Sequence, residues 1–125
     1  MLDHCPFCLD HLDRTIILEN ENCYAIYDGF PVSKGHVLII SKRHTANFFE
    51  LSSLEQQDCL GLLNEAKKLV DREYSPDGYN VGINISREAG QTIWHVHVHL
   101  IPRYEGDVIN ARGGVRGVIP HKKEY

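Results

Sequence analysis

The sequence predicts a single mixed α+β domain, and three observations carry that prediction. Between Ser52 and Tyr74, apolar residues recur at helical spacing (Cys59, Leu62, Leu63, Ala66, Leu69, Val70), opposite a charged face of Glu65, Lys67, Lys68, Asp71 and Arg72. On both sides of this segment, short runs either alternate apolar and polar residues or are continuously apolar, as strands do. No linker, internal repeat or low-complexity tract divides the 125 residues, a length that suits one domain with a real core.

Taken in order, Cys5-Pro6-Phe7-Cys8 opens the chain as a tight loop. Residues 15–19 and 23–27 are strand-like and flank the turn Asn20-Glu21-Asn22, which predicts a hairpin with a three-residue loop. Asp28-Gly29-Phe30-Pro31 breaks that pattern. Gly35 then leads into a central strand at 36–40, closed by Ser41-Lys42-Arg43-His44. The helix start is marked by two overlapping capping boxes, Ser52 with Glu55 or Ser53 with Gln56, and Pro76-Asp77-Gly78 marks its end. A strand at 79–85, a polar loop at 86–92 and a strand beginning at His95 complete the core, and 104–125 forms a tail without strong periodicity. The glycines of that tail are not a phosphate-binding P-loop, because no Gly-Lys-Ser/Thr follows them.

Composition excludes several classes of function. Apolar content of 42% and charged content of 24% are ordinary for a soluble globular chain. A formal charge of −4 argues against a general nucleic-acid binder, although the tail carries Arg112, Arg116, Lys122 and Lys123. No run approaches the ~18 apolar residues of a membrane span, and the first residues lack the basic start and apolar stretch of a signal peptide. The expectation is a cytoplasmic protein whose thiols stay reduced. Cys5 and Cys8 then form a C-x-x-C pair able to share a metal ion or a redox bond, and Cys23 and Cys59 are read as isolated, buried hydrophobes. His4, His11 and His121 are expected on the surface without a role.

The stretch His95-Val96-His97-Val98-His99-Leu100 carries the chemistry. Its period of two points Val96, Val98 and Leu100 into a core and puts His95, His97 and His99 on the opposite face, successive ones ~6.7 Å apart. Three imidazoles in a row are poor core material. Metal ligation and nucleophilic catalysis by one ring, with its neighbours handling protons, both suit them; a merely polar outer face is the bland alternative.

With Gly90-Gln91-Thr92 before it and Gly35-His36-Val37-Leu38-Ile39 earlier in the chain, this stretch resembles the signature of the histidine triad family. The likeness runs from about Cys5 to Arg103. It implies an α+β fold with an antiparallel sheet of about five strands, one long helix and a shorter helical segment, in a homodimer whose sheets join. It also implies cleavage of a nucleotide at its α-phosphorus, with His97 as nucleophile, His99 on the phosphate and leaving group, and His36 supporting the nucleophile. Asn84, Gln91 and Thr92 match phosphate-binding positions, Asp28 the ribose-binding position, and Phe7 the base pocket. Cys5, Cys8, His44 and His95 match the ligands of a structural zinc site found in some members, which would make His95 a ligand that positions His97. Glu88-Ala89-Gly90-Gln91-Thr92 and Pro102-Arg103 look more like the fragile-histidine-triad branch, hence a dinucleoside polyphosphate hydrolase in which Arg112 and Arg116 help hold extra phosphates. A nucleoside phosphoramidase of the Hint-like branch and a zinc-stabilised nucleotide-binding module with little turnover are the competing readings.

Overall fold

The computed structural model describes residues 5–125, so His4 lies outside the described residues. Five antiparallel strands form one sheet: β1 (Leu18–Glu19), β2 (Cys23–Tyr27), β3 (Val37–Ser41), β4 (Gly78–Gly82) and β5 (His97–Arg103). Their spatial order is β1-β2-β3-β5-β4. A single long helix, α1 (Ser53–Tyr74), packs across one face.

The central strands read as continuous apolar runs because both of their faces are covered. Towards the helix, Ala25, Val37, Ile39, Val98 and Leu100 meet Cys59, Leu62, Ala66 and Val70. On the other face, Tyr24, Ile26, Leu38 and Ile40 are buried by the N-terminal loop through Cys5 and Phe7. Tyr24 fixes that loop by donating its hydroxyl hydrogen to the Phe7 carbonyl at 2.5 Å. β5 alternates strictly between buried and half-buried positions, as expected where one face packs on a helix and the other lines a cleft.

Of the two possible capping boxes, the helix uses Ser52 with Glu55. The Ser52 hydroxyl accepts from the Glu55 amide at 3.1 Å, and the Glu55 carboxylate accepts from the Ser52 amide at 2.8 Å. Arg43 donates twice more to the same carboxylate, and these bonds hold its pKa down at about 2. Leu69, expected on the buried face, is only half-buried.

Several strand boundaries move. The first strand is only two residues long, although Ile17 still donates to the Ala25 carbonyl at 2.8 Å. The central strand begins at Val37 rather than His36 and extends to Ser41. The strand expected over 79–85 is β4, 78–82, because the chain then leaves the ladder for the loop that carries Asn84. The last strand begins at His97 rather than His95, since the Val96 amide is taken by the Thr45 carbonyl at 2.8 Å. The shorter helical segments are 3-10 turns, such as Phe48–Glu50 and Arg87–Ala89.

Candidate active site and metal centre

Alternation along β5 turns His97 and His99 away from the helix, with ring centroids 5.3 Å apart. A main-chain carbonyl can only accept a hydrogen bond, so the 2.8 Å contact between His97 Nδ1 and the His95 oxygen puts the proton on Nδ1. The Nε2 lone pair is thereby left free. Phe7 stands edge-on to this ring at 5.1 Å.

The same reasoning orders the neighbouring rings. The Val32 amide donates to His36 Nδ1 at 3.1 Å, so His36 carries its hydrogen on Nε2. That hydrogen lies 3.0 Å (heavy atoms) from His99 Nδ1 and 3.3 Å from an Asp28 carboxylate oxygen. His99 therefore accepts at Nδ1 and, as a neutral ring, presents an Nε2–H donor. Burial is the main reason that the His99 pKa falls to about 4; the neighbouring His97 and His36 add to the fall and Asp28 opposes it. Burial also lowers the His36 pKa, again against Asp28. Asp28, His36 and His99 are close enough to share an ion, but the proton fixed on His36 Nε2 makes this trio a hydrogen-bond relay instead.

His95 precedes β5 on the same side of the sheet, under the N-terminal loop, where Phe7 stands edge-on to it at 6.2 Å. It is fully buried, and its Nε2–H donates to the Ser41 carbonyl at 2.6 Å, which leaves Nδ1 as a lone pair aimed at the N-terminal loop. There it lies 3.4 Å from Cys5 Sγ, 3.8 Å from Cys8 Sγ and 3.2 Å from His44 Nδ1, while Cys8 Sγ lies 3.3 Å from His44 Nδ1. Tetrahedral bonds of ~2.3 Å to sulfur and ~2.05 Å to nitrogen would separate such ligand atoms by ~3.3–3.8 Å. The four residues thus form a preshaped, closed cluster able to hold a metal ion, with Cys5 and His95 buried and Cys8 and His44 partly so. Burial, together with hydrogen bonding to Cys5 and the charge there, raises the Cys8 pKa to about 11, so an arriving cation must displace a proton.

Phe7 and Asp28 do line one cleft, of about 300 Å³, together with Pro6, Arg14, Phe30, Leu38 and Ile93. His11, given no role by the sequence, stands exposed at its rim. Arg14 has no recognisable signal in the sequence; it enters because the extended segment before β1 lets it donate to the Tyr27 carbonyl beside Gly29. Leu38 could have been found, since a strand that is apolar at every position must cover two faces.

The loop residues separate. Gln91 is buried and its amide is fully engaged, donating to the Ala46 and Ile93 carbonyls at 2.9 and 3.1 Å and accepting from the Ser86 amide at 2.9 Å. These bonds tie the loop that carries Gln91 to Ala46 and Ser86. Thr92 is exposed and Asn84 half-buried; Asn84 lies two residues past Gly82, which pairs with His99, in the direction of His97. Arg112 and Arg116 do not reach the site. They hold the tail to itself, through the Tyr125 carbonyl and the Lys122 and Lys123 carbonyls. That tail packs on β4 at Asn80, towards the Arg103 end of β5 and away from His97. Cys23 and Cys59 are buried as expected but not isolated, since their sulfurs touch.

Comparison with known proteins places this geometry in a family. The HIT domain model matches residues 10–106. A HIT-like protein of Methanocaldococcus jannaschii is 36% identical over 108 residues, covering 82% of this chain and 81% of the relative. A protein named AP-4-A phosphorylase from Mycobacterium tuberculosis is 30% identical over 108 residues, covering 84% of this chain and 55% of the relative. The crystal structure of a Zn-bound histidine triad family protein from Mycobacterium smegmatis superposes with a TM-score of 0.77 at 28% identity, over 86% of this chain and 81% of that one. With the His-x-His-x-His stretch on β5, a fourth histidine on its neighbour and the five-stranded antiparallel sheet, the chain belongs to the HIT, or histidine triad, family.

Proposed function

We propose that this protein cleaves dinucleoside polyphosphates at an α-phosphorus, by way of a covalent nucleotidyl group on His97. The observation that carries this reading is the 2.8 Å contact from His97 Nδ1 to the His95 carbonyl, which leaves the lone pair of Nε2 to act as a nucleophile. Attack by Nε2 on phosphorus expels the remaining nucleotide, and water then displaces the nucleotidyl group. The leaving oxygen takes its proton or a hydrogen bond from the outward Nε2–H of His99, whose tautomer His36 maintains. Asn84 and Thr92 would donate to the phosphate oxygens as charge develops on them. Phe7, Phe30, Leu38 and Ile93 would hold the base, with Asp28 on the ribose. Similarity to the AP-4-A phosphorylase supports this substrate class, and transfer to inorganic phosphate in place of water is the corresponding variant of the reaction.

Zinc is the ion best suited to two thiolates and two imidazoles, and a closed set of four ligands makes it structural. It would pin the Cys5–Cys8 loop, and with it Phe7, against the strand that presents His97. We also propose a homodimer joined along β4, whose outer edge makes no strand pairing among the described residues.

The test is a substrate panel run on wild type and His97→Ala. Diadenosine tri- or tetraphosphate should turn over in the wild type alone, and a denaturing quench at alkaline pH, where a P–N bond persists, should trap a nucleotidyl group on His97. The rate should fall at least ~10³-fold in the variant. Preference for an adenosine phosphoramidate would favour the phosphoramidase reading, and tight binding without turnover would favour a binding module. Sedimentation of the metal-loaded protein tests the dimer.

A further inference from the structure

We infer that Cys23 and Cys59 form a second oxidisable thiol pair, able to close a disulfide between the start of β2 and α1. Their sulfurs lie 3.0 Å apart, and a bond of ~2.05 Å needs them to approach by only about 1 Å more. Neither residue belongs to the histidine site or to the Cys5, Cys8, His44, His95 cluster. The sequence gives no hint of the pair, because 36 positions separate a strand residue from a helix residue.

The contact between the two sulfurs, in which either thiol can donate, lowers the Cys59 pKa against the effect of burial. Cys59 is thus the readier nucleophile, while the contact with Cys59 and burial both raise Cys23. Both thiols are buried in the core between β2 and α1. Asn20 donates to the Asp58 carbonyl at 2.8 Å and Asn22 to the Asp58 carboxylate at 2.9 Å, docking the hairpin turn on the helix beside them.

The chemistry is exchange with a small-molecule disulfide such as oxidised glutathione. The Cys59 thiolate attacks one sulfur of that disulfide, forming a mixed disulfide and releasing one small thiolate. The Cys23 thiolate then attacks the Cys59 sulfur and releases the second. The two protein thiols are oxidised, the small disulfide is reduced to two thiols, and each protein S–H proton passes to a departing thiolate.

The test uses the full chain, refolded from guanidinium into a zinc-containing buffer of reduced and oxidised glutathione, so that burial cannot block access. After acid quenching and alkylation, the peptide joining Cys23 to Cys59 is quantified by its mass, about 2 Da below the two separate thiols. The effective concentration of the pair should be at least ~30-fold higher in native buffer than in concentrated guanidinium. Thermal midpoints should rise on oxidation by on the order of 10 °C, and Cys23→Ala and Cys59→Ala should each abolish both effects. Equal linkage in native and denaturing buffer would overturn the inference. So would thiols at 23 and 59 that remain fully alkylatable, or stay as mixed disulfides, while Cys5 and Cys8 become linked.

Discussion

His99 is held half-buried as a neutral ring, and the stability of the whole domain should record it. Its pKa lies at about 4 in the folded chain, against an ordinary histidine value of 6.5. The unfolded chain therefore binds a proton between these values that the folded chain refuses. The stability associated with the neutral ring is complete above pH 6.5 and is lost as pH falls towards 4. Discounted for the solvent that reaches a half-buried ring, the lowered pKa corresponds to on the order of 1–2 kcal/mol across that window. Near pH 5 this residue contributes a slope of on the order of 0.5 kcal/mol per pH unit. The groups facing it are His97, His36 and Asp28, and His36 adds a slope of the same sign because its own pKa is lowered. The assay is urea unfolding of wild type and His99→Gln at half-unit intervals from pH 4.5 to 7.5. Glutamine keeps an amide in place of the ring and removes the titration. Whatever the substitution does to stability at pH 7, the wild-type curve should fall more steeply by about the calculated slope. Parallel curves for the two proteins would show that His99 titrates as it does in the unfolded chain, and the burial argument would fail.

Three further outcomes follow from the same geometry. Cys8→Ser should reduce zinc affinity at least ~100-fold and lower the thermal midpoint, read by metal analysis and calorimetry; one retained equivalent with an unchanged midpoint would contradict the four-ligand site. Ser52→Ala should cost about 1 kcal/mol in urea unfolding, because the helix loses the acceptor for the Glu55 amide while the catalytic face is untouched. Gly35→Ala should destabilise by roughly 1–3 kcal/mol, since Gly35 holds φ +86° and a Cβ would stand 2.8 Å from the Tyr74 ring. Because Gly35 leads directly into His36, that variant should also slow turnover, and an unfolding curve identical to wild type would refute the strain.

What the sequence determined by itself was the material of each layer. Helical spacing from Cys59 to Val70 and the Ser52–Glu55 box specified α1, and alternation in β5 specified which residues face the helix and which face the cleft. These are local periodicities, so they are visible without a partner. The resemblance carried by the histidines also named His36, His97, His99 and the set Cys5, Cys8, His44 and His95; the fold sets His36 against His99, His99 beside His97, and gathers the other four into one cluster. Only tertiary structure decided how the polar groups were used. Gln91 is tied by its amide to the Ala46 carbonyl, a contact made across 45 positions by loop closure. Arg112 and Arg116 carry the right charge but are drawn into the tail at the opposite end of β5. His95, His97 and His99 alternate identically in sequence, yet one faces sulfur, one is left bare and one leans on His36. A hydrogen-bond partner far along the chain fixes each ring's proton, and no pattern within a strand can record which partner the fold will bring.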